Sequence, residues 1–395
     1  MNQHGRILLA ATLLASLSVL GCARSVTPGV TEDEVVFGVT APLSGPAAAW
    51  GAVAQGARAW ADIVNGEGGV NGRRIRLLMK DDAYTPGRAV ANVTELETEV
   101  LALVGMVGTA VVNAARDTIV ESGIPLVLPT ANVRVWEDLP GERPPPVFVA
   151  YPDYRSEGAF LGEQVATGAG ATTAAVFYQN DDYGKDGLEG ARRGLTEAGV
   201  ELVAEVPYEL QDRELGLHAL QIRDSGAEAV VLYCTPTHAA NLVNEMAKLD
   251  FRPELFASGT LGDERAMFRL LGDAWSGARY VGIVLPRGDE RRDRLEARLL
   301  AQDPSLENRE LFAIIGAAGM MAAIEALRGA GPEPTRESFV AALEQATIPD
   351  VLVSPISFAP DRRHGFSSAI LLRAGSGPAE PPTVLTEPRE FTPLF

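Results

Sequence analysis

Three times along this chain an amphipathic stretch closes on a glycine and an apolar, β-branched run begins at once. The joints are "ESGIPLVLP" from Glu121, "EAGVELVAEV" from Glu197 and "DSGAEAVVLY" from Asp224. The glycine supplies a left-handed helix C-cap, and the run after it reads as a buried strand. A chain that alternates strand and helix in this way from Val35 to Leu285 is confined to parallel sheets covered by helices on both faces.

The first unit follows the same scheme. "EVVFGVTAPL" is a strand, and Val53, Ala57, Trp60, Ala61 and Val64 then recur at helical spacing until Gly66, Gly68 and Gly69 end the helix. Ser44 and Pro46 stand where an N-cap and a first-turn residue are expected. Further helices are predicted over Pro86 to Glu99, Ala110 to Ser122, Tyr154 to Thr167, Tyr183 to Ala198, Leu215 to Ser225 and Thr237 to Leu249. Strands are predicted near Leu101 to Val107, Thr173 to Tyr178, Ala229 to Tyr233 and Tyr280 to Leu285.

The length of 395 residues suits two or three domains. With 46% hydrophobic and 22% charged residues the chain has enough apolar material for sizeable cores. The proline-rich passage "LPGERPPPVFVAYPDY", Leu139 to Tyr154, reads as a rigid link between units. "LFAIIGAAGMMAAIEAL", Leu311 to Leu327, is so apolar all round that it belongs inside a core. The tail from Gly375 to Phe395 is expected to be an irregular surface strap.

The front of the chain reads as a targeting segment. A basic start, Met1 to Arg6, precedes the apolar run Ile7 to Leu20, which has signal-peptide length and is too short to span a bilayer. "SVLGC", Ser18 to Cys22, resembles the lipobox of bacterial lipoproteins, which implies a signal peptide over 1–21, lipidation of Cys22 and a polar tether over 22–32. With 52 acidic against 34 basic residues the net charge is −18, and about −19 once the segment holding Arg6 is removed. Such a chain is repelled by nucleic acid and by anionic lipid, so membrane contact falls to the lipid anchor. Cys234, the only other cysteine, lies inside "AVVLYC" and is expected to be a small buried core residue without a disulfide partner.

Motifs for chemistry are scarce. The four histidines, at positions 4, 218, 238 and 364, show no metal-ligand spacing, and neither a nucleophile elbow nor a phosphate-binding P-loop is present. "GEGGVNG" follows a helix instead of joining a strand to a helix N-terminus, so it is not a phosphate loop. The pairs Asp81/Asp82 and Asp181/Asp182 read as loop-end caps more readily than as acid/base machinery. Polar and aromatic residues at strand ends, without a nucleophile, metal set or cofactor loop, point to a binder and not an enzyme.

These residues also fall in a familiar order. "VVFGVTAPLSGPAAAWGAVAQGARAWADIVNGEGGVNGRRIRLLMKDDAYTPGRAVANVTEL" is followed by "LVGMVGTAVVNAARDTIVESGIPLVLPTAN", "AAVFYQNDDYGKDGLEGARRGLTEAGVE" and "SGAEAVVLYCTPTHAANLVNEM". The set resembles the branched-chain amino-acid-binding family of type I periplasmic solute receptors of ABC transporters, over nearly all of the mature chain. The resemblance implies an α/β fold of two lobes, each a doubly wound parallel sheet, joined by three hinge crossovers. Lobe I is expected over 33–151 and 284–355, and lobe II over 152–283 and 356–395.

It also implies a ligand site. Trp50 stands where the family has a tyrosine walling the pocket. Thr109 matches a serine that binds the ligand carboxylate. Thr130, Ala131 and Asn132 match a second strand-end loop, with Asn132 a departure from the family pattern. Tyr183 matches an aromatic lid from lobe II, and Tyr154 and Thr235 are further candidates. The acid that takes the ligand's ammonium should lie near "FASGTLGD", where Gly259 or a neighbour stands instead, with Asp263 or Glu264 able to serve only if the loop shifts, and the late-helix tyrosine gives way to "IIGAAGMM". A roomier, more apolar pocket is therefore expected. The implied function is capture of a branched-chain amino acid or related small molecule and delivery to an ABC permease, by a lipid-anchored, extracytoplasmic monomer without cofactor or metal. A sensory lipoprotein of the same fold, or a receptor for a non-amine carboxylate or amide, remain open alternatives.

Overall fold

The structure, a computed structural model, describes residues 27–137, 144–348, 351–365, 368–392 and 394. The expected leader, Cys22 and the start of the tether lie outside the described residues. The chain begins with β1 (Glu34–Ala41), α1 (Ala52–Gly66), β2 (Arg74–Asp81), α2 (Pro86–Leu96), β3 (Ala102–Val104), α3 (Thr109–Ser122), β4 (Leu126–Val127) and β5 (Val147–Phe148). It continues through α4 (Tyr154–Ala169), β6 (Thr173–Gln179), α5 (Asp182–Glu197), β7 (Glu201–Tyr208), α6 (Gly216–Asp224), β8 (Ala229–Tyr233), α7 (Pro236–Lys248), β9 (Glu254–Ala257), α8 (Glu264–Leu271) and β10 (Arg279–Gly282). Three helices follow, α9 (Glu290–Gln302), α10 (Glu310–Gly329) and α11 (Arg336–Leu343). The last strands are β11 (Thr347–Ile348), β12 (Ile356–Ser357), β13 (Ser368–Arg373), β14 (Thr383–Val384) and β15 (Arg389–Glu390).

The glycine joints behave as their sequence predicts. Gly123, Gly199 and Gly226 take φ of 65°, 74° and 74°, the left-handed conformation that stops a helix and turns the chain into the next strand.

Two sheets result. The first has the order β2-β1-β3-β4-β5 and is parallel throughout. In the second, β7-β6-β8-β9-β10 repeats that order, also in parallel. Antiparallel β13 then extends it, with β14 and β15 paired to β13. The tail expected as an irregular strap is thus partly tied down as strands. In each sheet the order reverses beside the first strand made, so helices cover both faces and a crevice opens at the strands' carboxyl ends.

Around residues 149–152, 283–286 and 351–365 the chain passes between the two sheets. Backbone bonds tie these passes side by side: Val149 N donates to Arg363 O at 2.9 Å, Gly365 N to Val149 O at 2.9 Å, and Val353 N to Ile283 O at 2.9 Å.

The long, largely apolar helix is α10, buried along most of its length and packed on α1. The helices approach so closely that a Cβ at Gly316 would lie 1.8 Å from Val53 O, and one at Gly56 2.0 Å from Ala313 O. Gly316 therefore serves the helix contact and opens no space in the cleft.

Another expectation is corrected at the start of α1. Ser44 is not its N-cap, because the carboxylate of Asp81, at the end of neighbouring β2, takes the Ser44 hydroxyl at 2.6 Å and the Leu43 N–H at 3.0 Å. The chain then makes a 3-10 turn, Ala48–Gly51, before α1 begins without a side-chain cap.

Candidate functional site

The carboxyl ends of both sheets face each other. After β1, the 3-10 turn carries Trp50; after β2 comes Tyr84; after β3, Val107, Gly108 and Thr109; after β4, Thr130; after β5, Tyr151 and Tyr154. From the second sheet, Tyr183 follows β6 and the turn Gly259–Thr260 follows β9. Val53 on α1 and Phe312 and Ile315 on α10 complete the wall. The space enclosed is about 20 Å³, room for roughly one water molecule.

The wall is largely aromatic and internally locked. Trp50 packs on Tyr84 at 5.5 Å between ring centroids, and its Nε1–H donates to the backbone oxygen of Thr260 at 3.1 Å, joining the two sheets' loops. Tyr154 packs edge-on against Tyr183 at 4.9 Å and against Tyr151 at 5.4 Å. The Tyr183 and Thr260 hydroxyls share a hydrogen bond of 2.6 Å. Burial pushes the phenols of Tyr84, Tyr151, Tyr154 and Tyr183 far up, so all four are neutral donors at physiological pH. Gly108 has no alternative: at φ 103° it lies so close to Tyr84 that a Cβ would come 2.4 Å from the ring.

Thr109 opens α3, and its Oγ1 accepts a hydrogen bond from Asn132 N at 3.1 Å. The Thr130 hydroxyl is buried without a hydrogen-bond partner, and so is that of Tyr151.

Five of the residues singled out from sequence therefore meet at one cavity: Trp50, Thr109, Thr130, Tyr154 and Tyr183. The other three lie elsewhere. Ala131 is buried in the core beside Thr130. The Asn132 amide reaches outward and donates to the Asp186 carboxylate on α5, tying the two lobes at the rim. Thr235 is turned away to cap α7, its Oγ1 accepting from His238 N at 3.3 Å, while Tyr208 bonds its backbone N–H. Phe312 and Ile315 present the apolar face of α10 to the pocket. The carboxylates beside the cleft act as caps: Asp82 accepts from Thr40 Oγ1 and Tyr84 N, both at 2.8 Å, and Asp181 caps α5 through Gly184 N at 3.2 Å.

Sequence reading missed Tyr84, Tyr151, Thr260, Phe312 and, above all, Glu157. This α4 carboxylate is fully buried just behind Gly259; it accepts from Gly259 N at 2.7 Å and from the Ser258 and Tyr233 hydroxyls at 3.0 Å each. Burial pushes its carboxyl up to about 7. Asp263 and Glu264 are also committed. Asp263 caps α8 through Ala266 N and receives Leu311 N at the start of α10, while Glu264 pairs with Arg287 at 3.1 Å. No group of three or more His, Cys, Asp or Glu side chains able to hold a metal occurs among the described residues.

Two facing α/β lobes of one strand order, joined by three passes and closing strand ends over an aromatic-walled cavity, define the hinged, two-lobed class of solute-binding proteins. The sequence model of the periplasmic binding protein family matches residues 34–378, and the chain belongs to that family. An amino acid binding protein from Pseudomonas aeruginosa PAO1 is 30% identical over 286 residues, which is 69% of this chain and 73% of that protein. A branched-chain amino acid ABC transporter protein from Thermus thermophilus with bound valine superposes with TM-score 0.82 at 19% identity, over 92% of this chain and 98% of its own. An R. palustris solute-binding protein in complex with 4-hydroxybenzoate gives 0.78 at 19% identity, over 92% and 99%. Membership in this family places the protein outside the cytoplasm.

Proposed function

We propose that this protein is the solute-binding lipoprotein of an ABC uptake system, capturing a small molecule between its lobes and delivering the closed form to a membrane permease. In this reading residues 33–151 and 284–355 act as lobe I, residues 152–283 and 356–395 as lobe II, and acylated Cys22 tethers the acidic monomer to a membrane. The observation that carries the reading is the cavity: it is built from the strand ends of both sheets, yet at about 20 Å³ it admits no solute of amino-acid size unless the lobes part.

A hydroxyl at Thr109 beside the opening N–H groups of α3 suits a carboxylate. Valine and 4-hydroxybenzoate, bound by two proteins of the same fold, share that group. The solute class is thus a branched-chain amino acid or a related small molecule. Small-angle scattering tests the clamp: mature protein purified without refolding is compared with the same protein after its co-purified solute has been stripped. The stripped form is expected to have the larger radius and to contract when solute is returned. An identical radius in both states overturns the reading.

A further inference from the structure

The cavity has an anion-binding end and no cation-binding end. At the first end stand Thr109 and Thr130 and the opening N–H groups of α3, a helix of 14 residues. At the other stand Tyr151, Gly259 and Thr260. Tyr151 is 2% exposed, and its hydroxyl lines the cavity with no partner of hydrogen-bonding geometry. A Cβ at Gly259 would lie 3.1 Å from that hydroxyl and 3.2 Å from Glu157 Oε1. A side chain at position 259 would therefore crowd the phenol, the Val281 backbone oxygen and the carboxyl already packed behind it.

No charged side chain lines the cavity. The carboxylates around it, Glu157, Asp263, Asp82 and Asp181, each already accept at least two hydrogen bonds from the protein. Glu157, the nearest to Gly259, is raised by its burial to about 7 and is already bonded to three protein donors. An α-ammonium group brought to this end would be desolvated with no charged side chain in the wall and the nearest carboxyl already committed to three protein donors, whereas a neutral end group would meet an unpartnered phenol.

Resting on the solute-capture reading, we propose that the cleft is built for a small carboxylate that carries no ammonium group. Its carboxylate sits at the α3 N-terminus, its aliphatic or aromatic body lies against Trp50, Tyr84 and Phe312, and its far end, at Tyr151, is neutral.

The test is titration calorimetry on the stripped mature protein with pairs that differ only in the amine: leucine against 4-methylpentanoate, and valine against 3-methylbutanoate. Benzoate and glycine betaine complete the panel. At least tenfold tighter binding of the amine-free member of a pair, or binding of benzoate alone, is the expected result. Leucine or valine binding as tightly as its amine-free partner overturns the proposal and leaves solute capture standing. So does preferential binding of betaine, which would mean that the rings hold a cation by their faces. If nothing in the panel binds and the scattering radius does not differ between purified and stripped protein, the proposal and the solute-capture reading fall together.

Discussion

At Glu157 a carboxyl is sealed inside lobe II with three hydrogen-bond donors and no cation. Its ordinary value of 4.5 is raised to about 7 by burial, so the folded protein holds this proton across a window in which the unfolded chain has released it. The stability linked to that proton is complete below about 4.5 and is lost as pH rises through about 7. Asp82, Asp181 and Asp263, each raised by burial to about 6, act with the same sign slightly lower. In Glu157→Gln the amide still accepts from Gly259 N, and this share of the pH dependence disappears. Urea unfolding is expected to show the variant gaining on the wild type between these limits, by roughly 3 kcal/mol at most. A parallel pH profile for the two proteins would contradict the assignment. Nothing in the sequence announced Glu157: a lone glutamate in the first turn of an amphipathic helix reads as a surface charge, and only the β9 turn folding over it makes it internal. Trp50, Thr109, Thr130 and Tyr183 were legible because each follows a strand end. The same rule misplaced Thr235, because Tyr208 and His238 draw the end of β8 into a cap.

Among the elements, the α1–α10 pair and the start of α7 give opposite tests. Gly316→Ala drives a methyl into the Val53 backbone, so the helices must separate, and overpacking of this kind costs about 1–3 kcal/mol. Because Val53 and Ile315 both line the cavity, solute affinity should fall with stability; unchanged denaturation and binding curves would contradict the close packing. Thr235→Ala removes an N-cap and should lower stability by about 1 kcal/mol while leaving affinity unchanged, whereas a residue that touched solute would show the reverse. The alternation of elements was readable from sequence because α3, α5 and α6 each stop at a single glycine, Gly123, Gly199 and Gly226, in a conformation few other residues tolerate. The start of α1 was not, because the group that captures Ser44 arrives from Asp81, on a different strand.

For the whole molecule, the lobes touch on the hinge side through α8, where Arg265 pairs with Glu296 and Glu310 and Asp263 accepts from Leu311 N, and elsewhere through smaller contacts. At one rim Asn113 Nδ2 donates to Asp182 at 2.9 Å and Asn132 to Asp186; at another Thr237 Oγ1 donates to Pro46 O at 3.3 Å. Inside, Trp50 reaches Thr260. Asn132→Ala should therefore enlarge the scattering radius of the stripped protein without lowering its melting temperature by more than a surface substitution does. An unaltered radius would mean that the rim contact does not hold the lobes together. The three passes that make the hinge also set an order of events during synthesis. The stripe of α1 bearing Val53 and Gly56 is made early, but its cover, α10, emerges only after all the parallel strands of both sheets, and β13 completes the second sheet later still. A nascent chain of this design cannot finish either lobe until its last quarter has left the ribosome.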